Sequence, residues 1–432
     1  MYDFKILTAG EKIRKIRDDF GFTQEDITGG DVTRNLVSIL EKNKTGLTQK
    51  VAKVLADGIN NLCKQRNIEF FITPEYLLED VICQSKKIAS DYIEYINTLP
   101  QNEIINIDNK LNEIDVFLKS YNTEEKKSIL YRAIAKRFVQ SKLYSRAIDY
   151  YLKAYESSID IKITTYSLIG LGSCCSYLSK YKDAINYYKL ILDLNKDTQF
   201  IYIANFNIAL CNYRLNKFDD ALNTLYQLKE DFKNTLPTAI NEYDVDNLLG
   251  LCLLKLKSFN KSITIFKELL KNPPSDKDEI VILTNLADVY EELKDFTNLK
   301  KICYKIKNRI EINTDFMNSY EGDLYIALAK NLSCIGDNQA SKELLLKALV
   351  CFKHGVSKIC LEDIEKVFSK LLSMFINDSD IANIDYLKNE FFELVEREMI
   401  PKGNTIGLKF IRYYTYTKEL DKINNIVDFL VS

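Results

Sequence analysis

Glycine and proline are scarce, 14 and 6 in 432 residues. A chain with so few turn-formers and so much Leu, Ile, Lys, Glu, Asn and Tyr favours many helices joined by short loops, and an all-α fold is expected. No CxxC pair accompanies the ten cysteines. They are scattered, and Cys211, Cys252 and Cys303 sit inside apolar helical stretches, so they read as small buried residues of a reducing compartment and not as a disulfide framework. Met1 to Gly10 lacks a basic segment followed by an apolar one, and the most apolar stretch, "SLIGLGSCCSYL" (167–178), is shorter than the roughly 20 residues that span a bilayer. A cytoplasmic chain with no membrane partner is expected. One histidine, His354, lies near a predicted helix end, and no GxGxxG, Walker loop, GxSxG or HExxH occurs. The carboxylate pairs Asp18-Asp19 and Glu124-Glu125 read as solvated faces. No catalytic residue, metal or cofactor is expected.

Charge of either sign is nearly balanced, at −2, which argues against a protein that coats nucleic acid. Its distribution is uneven. Residues 1–66 hold twelve Lys/Arg against nine Asp/Glu, a net of +3, and the rest of the chain carries −5. Any nucleic-acid contact should therefore lie at the N-terminus.

That segment is helical in pattern. Ile13, Ile16 and Phe20 follow a capping box of Thr8 and Glu11, and Gly21 ends the helix. Thr23 is expected to cap a second short helix with Gln24 in its first turn and Ile27 inward. Gly29-Gly30 supplies the positive φ of a tight turn, and Val32, Leu36, Val37 and Leu40 resume the pattern. Over about residues 8–60, "GEKIRKIRDDFGFTQEDI", "VTRNLVSILEKNK" and "TQKVAKVLADGIN" resemble the helix-turn-helix of the Xre/phage-repressor family. Thr28-Gly29-Gly30 departs from it, since the family usually carries an alanine there. A helix-turn-helix lays its second helix in the major groove of double-stranded DNA. The residues placed to read it are Thr33, Arg34, Asn35, Ser38 and Ile39, with Arg34 suited to guanine, Asn35 to adenine and Ile39 to a thymine methyl. Gln24 and Lys44 would hold phosphates. Glu41 reads as a bonding residue inside the domain.

A helix opened by Thr73-Pro74 and running to Pro100, with Leu77, Leu78, Val81, Ile82, Ile88 and Ile96 inward, is either a connector or the first half of a repeat. Beyond residue 125 the chain repeats itself. Small residues recur on one helix (Ala135, Gly172, Ala209, Gly250) and twelve positions later on the next (Ala147, Ala184, Ala221, Ser262). Tyr144, Tyr181, Phe218 and Phe259 stand three positions before the second small residue and are expected to plug the wedge between the helices. The pattern loosens through Ala287 and Phe296 and through Ala329, Ser341 and Ala348, then fades into two weak hairpins, 360–396 and 404–431. Six repeats and two degenerate ones resemble tetratricopeptide units, whose period is about 34 residues. The expected architecture is an N-terminal helix-turn-helix domain (1–66), connecting helices (67–124) and a right-handed superhelix of helical hairpins (125–432).

The first helix of each such hairpin would line a concave groove. The residues placed there are Asn207, Tyr213, Asp244, Asn247, Asn285, Asp288, Glu291, Asp323 and Lys330. Asparagine donates and accepts at once, so a row of them suits an extended peptide. Helix-turn-helix plus repeats resembles the peptide-sensing regulators Rgg, Rap, NprR, PlcR and PrgX. That resemblance implies a homodimeric transcription regulator of quorum sensing that binds an operator of two half-sites and a short signalling peptide. The alternative is a repeat adaptor, or a Rap-like inhibitor of a signalling partner, without productive DNA binding.

Overall fold

The computed structural model describes residues 4–100, 107–121, 123–232, 242–312, 321–353, 361–397 and 400–431. His354 lies outside them. Among the described residues there are 22 α-helices, one 3₁₀ turn and no strand. The chain divides into two compact units, residues 1–217 and 218–432.

The first unit opens with α1 (Ala9–Asp19), the 3₁₀ turn Asp26–Thr28, α2 (Arg34–Glu41), α3 (Gln49–Gln65) and α4 (Pro74–Leu78). The capping box forms as its spacing predicts: Glu11 N–H donates to Thr8 Oγ1 at 3.2 Å and Thr8 N–H to Glu11 Oε2 at 2.8 Å. Ile13, Ile27, Val37, Leu55, Ala56, Ile59 and Leu77 are fully buried in one core. The expected second helix is only the 3₁₀ turn. Thr23 and Asp26 cap it reciprocally, with Thr23 N–H donating to Asp26 Oδ2 at 2.8 Å, but Gly29 and Gly30 adopt φ of 62° and 88° and end it at once. Gly10 serves close approach instead: a Cβ there would lie 2.0 Å from Leu40 O, so only glycine lets α1 meet the end of α2.

The helix expected to run from Pro74 to Pro100 is two, α4 and α5 (Val81–Thr98), because Glu79 leaves helical geometry and Asp80 caps afresh through Cys83 N–H at 2.7 Å. Val81 and Ile82, expected inward, are 50% and 58% exposed on the first turn of α5. Gln84, Ser85, Ile88 and Tyr92 take the buried face. The residues before α1 dock there. Leu7 N–H donates to Gln84 Oε1 at 3.0 Å, Gln84 Nε2 returns a bond to Leu7 O at 2.9 Å, and Phe4 stacks on Tyr92 at 4.0 Å between centroids. Next come α6 (Asp108–Ser120), α7 (Glu124–Gln140), α8 (Tyr144–Glu156), α9 (Ile161–Tyr177), α10 (Tyr181–Leu194) and α11 (Thr198–Arg214). α5 and α6 share one core with the repeat helices, through Tyr92, Ile114, Phe138, Leu168 and Tyr188.

The second unit holds α12 (Phe218–Asp231), α13 (Glu242–Lys255), α14 (Phe259–Leu269), α15 (Asp276–Glu292), α16 (Phe296–Ile312), α17 (Glu321–Cys334), α18 (Asn338–Lys353), α19 (Leu361–Asn377), α20 (Ile381–Glu396), α21 (Thr405–Thr417) and α22 (Leu420–Val431). Its core is continuous from Tyr243 to Ile426, so the weak C-terminal hairpins are packed as fully as the strong ones. Small residues do bring paired helices together. A Cβ on Gly172 would lie 2.6 Å from the Tyr188 ring, and one on Gly250 would lie 2.7 Å from Phe266. Ser262 Oγ donates to Gly250 O at 2.8 Å and Ser341 Oγ to Ala329 O at 2.7 Å. The rings that fill the contact therefore stand four residues after the second small residue. Tyr144, Tyr181 and Phe259 are half-buried, but Phe296, expected to plug its wedge, is 48% exposed.

Candidate functional site

α2 is short, and its two faces differ. Thr33 caps it, its Oγ1 accepting from Leu36 N–H at 3.3 Å, so the hydroxyl expected to reach a base is engaged in starting the helix. Val37, Leu40 and Glu41 are buried. Arg34 and Asn35 are exposed in the first turn and have no side-chain partner among the described residues; Lys44 is exposed beyond the helix; Ser38 and Ile39 are half-buried. Glu41 bonds within the domain as its position suggests. It accepts from Arg17 Nε at 2.8 Å and from Gln24 Nε2 at 2.7 Å, while Arg17 also reaches Phe22 O at 3.3 Å. The Glu41 bond holds the Arg17 guanidinium above its usual pKa. Gln24 is thus a strut between the 3₁₀ turn and α2, held through one of its two Nε2 hydrogens. The helix in whose first turn Gln24 is expected is only this 3₁₀ turn.

Lys12 anchors α1 to α4. It is 2% exposed, and its Nζ donates to Tyr76 O at 2.6 Å, 3.5 Å from a Glu79 carboxylate oxygen. Burial lowers its pKa, opposed by Glu79.

The repeat residues expected in a groove fall in both units. Asn207 and Tyr213 belong to the first. Asn207 is half-buried, with Nδ2 donating to Ile203 O at 2.8 Å within its own helix. Asp244, Asn247, Asn285, Asp288, Glu291, Asp323 and Lys330 belong to the second, on α13, α15 and α17. Asn285 Nδ2 donates to Asn247 Oδ1 at 2.7 Å, joining successive first helices. That bond leaves Asn247 with an amide donor and Asn285 with a carbonyl acceptor, the complement of one peptide unit. Glu291 pairs with Lys330 at 2.7 Å and accepts from Cys334 Sγ at 3.5 Å. Asp288 is half-buried, and burial raises its pKa, opposed first by Lys330 and then by the neighbouring Asn331 amide. Asp244 and Asp323 are exposed; burial of the carboxyl raises the pKa of Asp323.

Residues outside the expected set complete this face. Asn331 is 1% exposed, and among the described residues neither its Nδ2 nor its Oδ1 has a hydrogen bond of full geometry. A cavity of about 600 Å³ adjoins Lys330 and Cys334 and is lined also by Lys366, Ser369, Lys370 and Lys409. Lysines on α19 and α21 were hidden from a reading by repeat position, since the pattern fades before them. The buried thiols take no part: burial pushes Cys252 and Cys303 up to about 12. Among the described residues no His, Cys, Asp and Glu cluster could hold a metal ion, and no helix is long and apolar enough to cross a membrane.

The fold is an all-helical repeat that resembles the tetratricopeptide type. The tetratricopeptide repeat model matches residues 204–235. Among solved structures, the apo form of RapI is 14% identical over 62% of this chain and 99% of its own, with a TM-score of 0.47. A tetratricopeptide repeat protein from Parabacteroides merdae ATCC 43184 is 13% identical over 71% of this chain and 100% of its own, at a TM-score of 0.42. YrrB, described as a TPR protein with an unusual peptide-binding site, is 18% identical over 45% and 90%, at 0.32. A comparison with curated proteins finds no match.

Proposed function

We propose that the chain is a sequence-specific DNA-binding regulator whose repeats bind a short peptide and thereby alter its DNA affinity. The observation that carries this reading is the pair Arg34 and Asn35. Both side chains are exposed and, among the described residues, unpartnered at the N-terminal turn of a helix whose other face is fixed by Val37, Leu40 and the Arg17–Glu41–Gln24 bonds. An arginine and an asparagine so held match guanine and adenine edges in the major groove, and Lys44 serves the backbone.

The joined Asn247–Asn285 pair supports the peptide half of the proposal. A homodimer would place two such helices on half-sites about 34 Å apart or a multiple of that. Peptide that prefers one of two arrangements of the repeats shifts DNA affinity, and a coupling of roughly 1–3 kcal/mol changes it about 5- to 150-fold.

Selection of bound duplexes from random DNA tests the reading. Wild-type protein should enrich one sequence family with an affinity that falls steeply in salt. Arg34→Ala should lose the selectivity, and Lys44→Ala should weaken all duplexes alike. No enrichment above nonspecific binding leaves the adaptor reading, in which the repeats hold a partner protein, as the better one.

A further inference from the structure

The segment before α1 packs on a different core from α1 itself. From α1 onward the chain builds the bundle of α1 to α4, whose core holds Ile13, Ile27, Val37, Leu55 and Leu77. Phe4 and Ile6 pack instead on the core that α5 and α6 share with the repeats. Lys5 between them is exposed, the alternation of a segment laid lengthwise on a surface. The chain therefore passes between the two cores twice, once between Leu7 and Thr8 and once at Glu79 and Asp80, where α4 gives way to α5.

Both crossings meet at one side chain. Gln84 is 7% exposed, and besides exchanging bonds with Leu7 its Nε2 donates to Glu79 O at 2.9 Å. The Glu79 carboxylate in turn lies between Lys12 of α1, at 3.5 Å, and Lys87 of α5. Phe4 fills a slot made by α5 and α6. Its ring stacks within 2° of parallel on Tyr92, meets Tyr95 edge-on at 6.1 Å, and is covered by Lys110 Nζ at 4.1 Å from its centroid. Glu113 fixes two walls of that slot, accepting from the Tyr92 hydroxyl at 2.9 Å and from Lys110 Nζ at 2.9 Å. The slot is thus built independently of its occupant, while the occupant is only partly covered: Phe4, Ile6 and Leu7 are half-buried. A partly covered segment on a rigid slot opens at a lower free energy than the core behind it.

We propose that residues 4–7 are a releasable strap and that the α5–α6 slot is its docking site. Docked, the strap ties the bundle of α1 to α4 to α5 at a second point. Released, it leaves the bundle on the single crossing at Glu79 and Asp80, free to pivot there. The balance between the two states sets how firmly the bundle is presented. The proposal rests on the proposed function only for what the bundle is presented to, a DNA duplex. By linkage, a duplex that binds the docked state better stabilises the strap by the same factor.

The chain contains no tryptophan, so Phe4→Trp in the full chain puts a single reporter in the slot. Its emission should be shielded from acrylamide, and in a urea titration it should become exposed before circular dichroism loses the helices. Gln84→Ala removes both bonds to Leu7 and should move the balance towards release by roughly tenfold or more, seen as greater quenching without urea at unchanged helical content. Lys110→Ala, which removes only the cation over the ring, should move it about two- to fivefold. A reporter exposed from the start, exposure that coincides with loss of helix, or exposure that neither substitution moves overturns the proposal. Hydrogen exchange at the Leu7 amide needs no bulkier ring in the slot: it should be slowed in wild-type protein and freed in Gln84→Ala, and an amide that is unprotected in both overturns the proposal as well. Phe4→Ala should then weaken binding of a selected duplex about fivefold, the lower end of an ordinary coupling, while the selected sequence stays the same. Unchanged affinity overturns the strap's part in presentation. If wild-type protein enriches no duplex, the DNA reading falls, and quenching and exchange alone decide the strap.

Discussion

The inner faces of the two units are built from one plan and carry different chemistry. In the first, Arg132, Lys136 and Arg214 have no ion-pair partner among the described residues. In the second, Asp288 and Glu291 are interleaved with Lys330 and with the bonded pair Asn247–Asn285. Behind these faces the packing is the same: Gly172 under Tyr188 in one, Gly250 under Phe266 in the other. Fold and recognition are therefore written at different repeat positions. The small residue and the ring four places after its partner set how closely two helices approach. The first-helix residues between them are free to vary, and they set what is recognised.

The sharpest way to break this comparison is to disturb the shared part. Valine at Gly172 or at Gly250 would drive a side chain into a ring that already lies within 3 Å of the new Cβ. Overpacking of that kind costs about 1–3 kcal/mol, and each unit is of a size at which that lowers the melting temperature by roughly 2–12 °C. Melting followed by circular dichroism should show losses of similar size from the two substitutions. A large loss from one and none from the other would mean that the units are not equivalently packed.

Disturbing the variable part should leave the fold alone. Asn247→Ala with Asn285→Ala removes a bond between partly exposed side chains and the donor and acceptor left for a peptide. Binding of a cognate peptide to the second unit should be lost, with helical content unchanged. Titration of peptide against wild-type and variant protein checks this, and unaltered affinity would remove the asparagine pair from the groove.

Much of this architecture is visible in the chain itself, because helix packing leaves a covalent trace: a small residue where two backbones meet, repeated at a fixed interval. Thr8 and Glu11 announce α1 for the same reason, since a cap needs those side chains at that spacing. Three kinds of feature left no such trace. The second helix of the N-terminal domain shrinks to a turn because Gly29 and Gly30 both take positive φ, whereas the sequence only permits them to do so. The motif places Gln24 at a phosphate, and its bond to Glu41 exists only once α2 has packed. Isolated cations such as Arg132 and Lys136 look solvated along a helix, and only three dimensions show that no carboxylate lines their cavity.

Titration gives a smaller and signed contrast within the second unit. Burial holds Asp288 above the ordinary aspartate range, despite Lys330, so the native state binds its proton more tightly than the unfolded state does. Its contribution to stability then falls as pH rises from the ordinary value through the raised one, and the cost is fully present above the raised value. Glu279, 6% exposed, is the reverse: Lys305 at 2.8 Å and Arg309 at 3.1 Å hold its pKa down. Its contribution is present above the ordinary glutamate value and is lost as pH falls through the lowered one. Asp288→Asn should therefore melt higher than wild type at neutral pH, and Glu279→Gln lower. Both differences should shrink in acid, and melting curves between about pH 3 and about pH 8 would show it. A lower melting temperature for Asp288→Asn at neutral pH would mean that Lys330 and Asn331 outweigh its burial.

The smallest effect concerns the turns that both units share. The residue two places before each second helix is left-handed: Lys142, Ser179 and Asn216 in the first unit, and Lys257, Lys294, Gly336, Ser379 and Lys418 in the second, with φ between 55° and 86°. Only one of these is glycine, although the position is the helix-ending one where glycine is usual. A side chain in that conformation costs roughly 1–2 kcal/mol, part of which glycine would give back through the greater freedom of its unfolded chain. Lys142→Gly and Lys257→Gly should each raise stability by a few tenths to about 1 kcal/mol, and Asn216→Gly by less, because asparagine already tolerates the region. Gly336→Lys should lose a similar amount. Denaturant midpoints at unchanged slope would measure all four. Equal gains in the two units would establish that the turns belong to the common plan, and a gain confined to one would show that its turns are held by contacts the other lacks.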